Sequence, residues 1–350
     1  MARDIRRSSC ALMAGMRHVI QMARAHWVVL AICLSSAVVV TYVGMAGFDP
    51  ADDATLDSKT YTQMTTGHGD VGKPMRYRVL VPLLARLVPV GNVATRAGIE
   101  SRYAAVDIVA LTLAGWLLWL ILRTWKVSPV LALVGVLCFY GSHPVARFGG
   151  IPLVEAGALA VLFACYLAVE RRQHLAFMLM FAVGMFVKET TLLAAALPFL
   201  HQEAWRLRLR LAAFALPGLV LYAVVRLVID PTTSGVGYSA LAWLHNLQTL
   251  VIPQGEFAPR WREIVLSLGV IWVFMLLGLR RPVAIPLRYA GMTGISFLLA
   301  LALTTDYERI IFLSFPFALG FALPELAHRL GGVVGADPVR KPQGEQAPMG

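Results

Sequence analysis

Apolar runs separated by short charged clusters follow one another along this chain from Trp27 to Leu326. Lipid offers no partner to an unpaired backbone group, so apolar runs of about 20 residues that cross a bilayer must be helices. The pattern therefore predicts an all-α fold, a polytopic transmembrane helical bundle of about ten passes. The predicted passes lie at 27–47, 104–122, 129–141, 151–169, in two short pieces within 174–201, and at 211–229, 264–279, 289–303 and 310–326.

Two apolar segments are interrupted by residues that a lipid-exposed helix does not favour. Residues 79–90 contain two prolines and Arg86, and this short, charged stretch predicts an interfacial helix in the first outer loop. The run 174–201 is interrupted by Lys188 and Glu189, and we interpret it as two short passes that meet near these charges. A structural ion pair between the two short helices is the alternative role for these residues.

Composition agrees with a membrane protein. Of the 350 residues, 58% are hydrophobic and 15% are charged, and the mean hydropathy is +0.68. A soluble globular domain carries about 25% charged residues, so this class is excluded. The net charge is +11, but the basic residues sit in short clusters between apolar runs. That placement is typical of topology-setting loops and argues against nucleic acid as a partner.

Orientation follows from the basic clusters, which belong on the cytoplasmic side. Alternating sides from a cytoplasmic N-terminus places all of the following clusters inside: 123–126, 170–174, 206–210, 280–288 and 328–341. The sequence thus predicts a basic cytoplasmic N-terminus at 1–26, a transmembrane domain at 27–330 and a disordered cytoplasmic tail at 331–350. The two large outer loops are predicted at 48–103 and 230–263.

The first outer loop carries carboxylates followed by cations. In chain order these residues are Asp49, Asp52, Asp53, Asp57, Asp70, Lys73, Arg76 and Arg78. A carboxylate can act as a general base on an acceptor hydroxyl, and Arg or Lys can stabilise a departing phosphate. The alternatives are a solvated acidic loop and arginines that only anchor the interfacial helix among lipid headgroups.

The same carboxylates leave a divalent metal open, although the sequence specifies no certain cofactor and no metal ligand. A calcium-binding loop needs Gly at its sixth position and Glu at its twelfth. Counting from Asp49, those positions hold Ala54 and Thr60, so the pattern fails.

Charged residues also occur near two other predicted outer segments. His143, Arg147 and Glu155 surround a break at 149–152, where a plain loop is favoured over backbone that lines a cavity. Arg309 stands at the entrance of the last predicted pass, where contact with phosphate is weighed against a simple flanking role.

The order of these elements resembles the GT-C superfamily of membrane glycosyltransferases, many of which use a polyprenyl-phosphate-linked sugar. The similar stretches are Asp57-Ser58-Lys59-Thr60-Tyr61, Gly72-Lys73-Pro74-Met75-Arg76-Tyr77-Arg78 before Val79-Leu80-Val81-Pro82, Val187-Lys188-Glu189-Thr190, and Asp306-Tyr307-Glu308-Arg309 before Phe315-Pro316. The chain departs from the family in having Ser58 where many members carry a second acidic residue, and in lacking a large soluble outer domain.

The resemblance implies a bacterial transferase of the cytoplasmic (inner) membrane, working at its outer face with inversion at the sugar. The implied partners are a polyprenyl-phosphate-linked sugar donor, a lipid, glycan or protein acceptor with a hydroxyl, and membrane lipids. The implied catalytic base is Asp57, with Asp49 and Asp53 as alternates. The implied substrate-binding residues are Tyr61, Lys73, Arg76, Arg78, Lys188, Glu189, Asp306 and Arg309.

Two other function classes fit the sequence less well. A transporter or flippase for a lipid-linked or anionic substrate often shows paired repeats with broken midplane helices. The chain shows no convincing internal repeat, and its charges favour one face over the midplane. A non-catalytic assembly subunit would have scattered charges with no shared site.

Overall fold

The computed structural model describes residues 2–47, 56–67, 77–200, 205–225, 261–278, 287–303 and 307–334. These residues form helices joined by turns and short connections, without a strand among them, so the all-α prediction is confirmed. The α-helices are α1 (Ala2–Gly47), α2 (Leu56–Thr66), α3 (Leu80–Leu87), α4 (Arg96–Thr124), α5 (Pro129–Tyr140), α6 (His143–Phe148), α7 (Glu155–Glu170), α8 (His174–Val187), α9 (Leu197–Leu200), α10 (Trp205–Ala213), α11 (Leu216–Val224), α12 (Trp261–Leu268), α13 (Ile271–Gly278), α14 (Leu287–Leu303), α15 (Tyr307–Phe312) and α16 (Phe315–Val334). A 3₁₀ helix covers Glu189–Ala196.

Two helices in the described residues are long and apolar enough to cross a membrane. They are the Arg24–Ala46 part of α1 and the whole of α4. The 29 residues of α4 extend about 44 Å, which exceeds the roughly 30 Å of a bilayer core. The other predicted passes correspond to shorter helices. The structure therefore supports a helical membrane protein, and the count of ten passes stays a prediction.

Several helix boundaries differ from the sequence prediction for local reasons. Helix α1 begins at Ala2 rather than near residue 27, because no proline interrupts the preceding segment. Helix α4 begins at Arg96 because Thr95 caps it, its side chain accepting from the Gly98 amide at 3.2 Å. The predicted pass at 264–279 is divided at Gly269, whose φ of +53° ends α12.

Helices α1 and α4 run antiparallel. At the middle of α1, the His26 ring lies 5.0 Å from the ring of Trp119, close to the end of α4. Near the end of α1, Gly44 lies against the backbone of Gly149, and Val40 and Leu111 flank the same glycine. The turn at 149–150 therefore marks one end of the bundle, and the Trp119 region marks the other.

Basic residues gather at the Trp119 end. The Trp125 ring lies 4.7 Å from that of Tyr289, and the Arg288 Nε lies 3.6 Å from Glu170 Oε1. The end of α4, the end of α7 and the start of α14 therefore meet there. We call this region the basic end of the bundle.

The chain reverses direction at Lys188. Helix α8 begins at the basic end, where His174 stacks on Phe214 at 5.2 Å. It ends at Val187, and Lys188 then adopts an extended conformation before the 3₁₀ helix. Leu200 lies against Gly291, close to the basic end again. The segment thus runs away from the basic end and back, which is the geometry that two short passes require.

The 149–150 turn packs so closely on α1 that glycine is required there. A Cβ added to Gly44 would lie 1.7 Å from the Gly149 carbonyl oxygen, whereas a Cβ on Gly294 would meet nothing within 4 Å. We expect Gly44→Ala to cost about 1–3 kcal/mol through overpacking and to lower the unfolding midpoint in detergent. Gly294→Ala, the matched control, should leave that midpoint unchanged or raise it. Equal midpoints for the two variants would contradict this packing.

Candidate functional site

Helix α2 brings Asp57 and Tyr61 to the end of the bundle opposite the basic end. The helix is fixed by α4, because the Tyr103 hydroxyl donates to the Tyr61 carbonyl oxygen at 3.1 Å and shares a 2.9 Å hydrogen bond with the Thr65 hydroxyl. Tyr61, Thr65 and Tyr103 are all fully buried. Asp57 stands in the first turn of α2, one turn before Tyr61.

Arg78 connects α2 to the reversal at Lys188–Glu189. Its Nε donates to Glu189 Oε2 at 2.9 Å, and a second guanidinium nitrogen contacts Glu189 Oε1. Its Nη1 donates to the Tyr61 hydroxyl oxygen at 2.8 Å. Two parallel bonds to one carboxylate fix the guanidinium plane, so this contact is directional as well as strong. Arg78, two residues before α3, therefore links the start of α3 to α2 through Tyr61 and to the reversal through Glu189.

Tyr61 stays a neutral phenol in this setting. Burial raises the pKa of Tyr61 well above its usual value, while the neighbouring Arg78 charge acts in the opposite direction. The oxygen accepts from Arg78, and among the described residues no acceptor for the hydroxyl hydrogen is observed.

Glu155 joins two cations at the start of α7. Its Oε1 accepts from Lys188 Nζ at 2.7 Å and from Arg309 Nη1 at 3.2 Å, and its Oε2 accepts from the Val154 amide at 3.0 Å. The same Arg309 nitrogen lies 3.5 Å from Asp57 Oδ2. Glu155 and Arg309 therefore connect α2 to the start of α7, to the reversal at Lys188 and to α15.

The charged residues of this cluster balance. Three carboxylates, those of Asp57, Glu155 and Glu189, face three cations, those of Arg78, Lys188 and Arg309. We call these six residues the charge cluster. Buried ions are tolerated where they are paired and hydrogen-bonded, as they are here. Asp57 is the most accessible of the three carboxylates, with 22% of its side chain exposed against 11% for Glu155 and 20% for Glu189.

An aromatic ring and two apolar spaces border the charge cluster. The Arg309 guanidinium lies 4.4 Å from the centre of the Phe148 ring, a cation–π contact. A small cavity with about 30 Å³ of water-sized space lies among Glu155, Lys188, Arg309 and neighbouring apolar residues.

A much larger apolar groove of about 460 Å³ begins on the other side of Val187, beside the reversal. It runs between α3, α4 and α7. Its lining is Leu80, Val81, Leu84, Leu87, Val88, Pro89, Ala105, Val106, Val109, Ala110, Leu113, Gly157, Ala160, Val161 and Val187. The groove wall is apolar throughout, and its Val187 end adjoins Lys188, the next residue of the chain.

The structure brings together all of the predicted site residues that it describes. Asp57, Tyr61, Arg78, Lys188, Glu189 and Arg309 come from distant parts of the sequence and lie in one cluster. Asp49, Asp53, Lys73, Arg76 and Asp306 lie outside the described residues, as does most of the predicted loop 230–263.

Glu155 is a residue whose place the sequence does not predict. The sequence favours a plain loop around 149–152, yet Glu155 lines a cavity and bridges two cations. The available signal was an acidic residue directly after a break in an apolar run, since such residues in a membrane domain are costly without a partner.

The divalent metal that the sequence left open stays a prediction. Across the described ranges, no group of three or more His, Cys, Asp or Glu side chains is arranged to hold a metal ion. The acidic stretch 49–53, on which that prediction rested, lies outside those ranges.

No protein-family model, curated protein or solved structure matches this chain. The resemblance to GT-C transferases therefore rests on the sequence stretches quoted above.

Removing the central carboxylate should destabilise the protein. In Glu155→Gln the Lys188 and Arg309 charges lose their shared partner while buried, and breaking a buried pair in this way costs about 3–5 kcal/mol. Glu100→Gln is the matched control, because its pair with Arg96 is exposed and is expected to contribute less than about 1 kcal/mol. Unfolding midpoints in detergent would measure both; a Glu155→Gln effect no larger than that of Glu100→Gln would show that the cluster carries little stability.

Proposed function

We propose that this protein is a membrane glycosyltransferase of the bacterial cytoplasmic membrane. It transfers a sugar from a polyprenyl-phosphate donor to an acceptor hydroxyl at the outer face. The observation that carries the proposal is the convergence of Asp57, Arg309 and the rest of the charge cluster beside a large apolar groove. A charged site fits a phosphosugar, and an apolar groove of this size fits a polyprenyl chain.

The proposed topology has about ten passes and a cytoplasmic N-terminus. The basic end, with Arg123, Lys126, Arg171, Arg172 and Arg288, is then cytoplasmic. The charge cluster lies at the opposite end and faces outward. Helix α3 lies at the outer interface, consistent with its exposed Leu83, Leu84 and Leu87.

In the proposed reaction Asp57 is the general base. It takes the proton of the acceptor hydroxyl, whose oxygen attacks the anomeric carbon of the donor sugar. The bond between that carbon and the phosphate oxygen breaks, and its electron pair leaves with the polyprenyl phosphate. A single direct displacement inverts the configuration at the anomeric carbon.

The charge balance of the cluster supports this division of roles. The donor phosphodiester carries one negative charge and the released monoester carries up to two. When Asp57 becomes protonated it loses its own charge, so the cluster gains one net positive charge as the phosphate becomes more negative. Arg309 lies within 3.5 Å of Asp57, where it can exchange that contact for the phosphate oxygen.

Asp57→Asn tests the assignment of the base. The amide keeps the size of the side chain but cannot take a proton, so release of polyprenyl phosphate from a purified protein should fall at least about 100-fold. The assay supplies polyprenyl-phosphate sugars with candidate acceptors. Gln63→Asn, an exposed change on the same helix, is the control and should release at the wild-type rate. No release by wild type, with transport of the intact donor instead, would favour the transporter or flippase class.

Ala105→Trp tests the groove. Ala105 lines it on α4, and a bulky ring there should compete with the polyprenyl chain. The donor KM is expected to rise about tenfold, the factor that a loss of about 1.4 kcal/mol in binding gives, with a smaller change in kcat. Leu175→Trp places the same ring on an exposed position of α8 and should leave both constants unchanged. Equal KM values for the two variants would remove the groove from the donor site.

A further inference from the structure

Asp107 is a buried carboxyl group on α4 that the proposed reaction does not use. Asp107 is only 1% exposed, and its Oδ2 accepts from the Gly150 amide at 3.2 Å. In the described part of the chain it forms no salt bridge with a cation. A polar group in an apolar interior is costly unless its hydrogen bonds are made. The contact with Gly150 is therefore the feature that accounts for an aspartate here.

The Gly150 turn is compressed between α1 and α4. Gly150 has a φ of +87°, in the left-handed region that favours glycine. A Cβ at this position would lie 2.3 Å from the Thr41 carbonyl oxygen of α1. On the side facing α4, the Gly150 amide donates to Asp107 Oδ2, and Leu111 lies beside Gly149. Asp107 thus supplies the polar anchor of the turn on α4.

Two residues that contact Arg309 flank the turn. Phe148, just before it, provides the ring over which the Arg309 guanidinium lies at 4.4 Å. Glu155, at the start of α7, follows Gly150 by five residues and accepts from Arg309 at 3.2 Å and from Lys188 at 2.7 Å. A displacement of the turn relative to α4 would therefore move Phe148 and Glu155, two of the groups that contact Arg309.

The same face of α4 holds the other half of the site. Tyr103, four residues before Asp107, fixes α2 through the Tyr61 carbonyl oxygen and the Thr65 hydroxyl. Residues four apart lie about 6 Å along a helix axis, on the same face. Tyr103 therefore holds the element that carries Asp57, and Asp107 holds the turn that positions Arg309.

We propose that Asp107 is a positioning residue that sets the distance between the Asp57 carboxylate and the Arg309 guanidinium. It does so by holding the Gly150 amide, and it touches neither the donor nor the acceptor. The inference rests on the proposed transferase function for its catalytic consequence. Its geometric content, that Asp107 anchors the 149–150 turn, stands on the contacts alone.

Two variants of similar size separate this role from packing. Asp107→Asn keeps a carbonyl oxygen that can accept from Gly150, whereas Asp107→Leu keeps the bulk and loses the acceptor. The Asn variant should retain kcat within about threefold. The Leu variant should lose kcat by about tenfold or more, because small misplacements of reacting groups are costly, with the donor KM within about twofold.

A second readout reports on the turn without any activity. A Val154→Cys reporter, introduced after the four native cysteines are replaced by serine, places a buried thiol next to Glu155. Maleimide labelling of this thiol should rise several-fold with Asp107→Leu and stay low with Asp107→Asn. If Asp107→Leu fails to give a monodisperse protein, Asp107→Ala removes the acceptor without adding bulk and takes its place.

The outcomes separate the two proposals. Higher labelling in the Leu variant and low labelling in the Asn variant support the anchored turn, even if the wild-type protein releases no polyprenyl phosphate and the proposed function fails. Low labelling in both variants overturns the inference, whatever the activity. Labelling that rises equally in the Asn and Leu variants also overturns it, because the acceptor oxygen would then not be what holds the turn.

Discussion

The contact on which this structure most depends is made by a single oxygen atom, Oε1 of Glu155, which accepts from both Lys188 and Arg309. Without that carboxylate the two cations would face each other in a poorly hydrated interior, where like charges repel strongly. The contact also determines the course of the chain. It joins the start of α7, the reversal at Lys188 and the start of α15, so three separate segments of the chain meet at one carboxylate oxygen.

A second bridge, from Arg78 to Glu189 and Tyr61, brings α2 and the approach to α3 to the same point. The two bridges differ in what they leave accessible. Glu155 is enclosed by its partners, while Asp57 touches only Arg309 among the described cations and is the more exposed. Asp57 therefore stands at the edge of the charge cluster, whereas Glu155 stands at its centre.

The sequence was sufficient to predict helices, the break at Lys188–Glu189, Tyr61 and every residue of the charge cluster except Glu155, because each leaves a local mark. An apolar run, or a charge within one, is visible without knowledge of the fold. It was insufficient for Glu155 and Asp107, whose roles depend on partners across the bundle. It also misplaced helix ends such as Arg96, where a cap decides, and Gly269, where a left-handed backbone divides an apolar run. Periodicity reports burial, whereas caps and turns are decided by one or two residues.

The spacing of the Glu155 partners along the chain has a consequence for synthesis in the membrane. Lys188 follows Glu155 by 33 residues, and Arg309 follows it by 154. At roughly 5–20 residues per second, the ribosome delivers Lys188 within several seconds but Arg309 only after roughly 8–30 seconds. Glu155 thus meets one cation early, while α7 and α8 are neighbours in a growing helical hairpin. The second cation arrives only with α15, so the charge cluster stays incomplete until that helix has been synthesised.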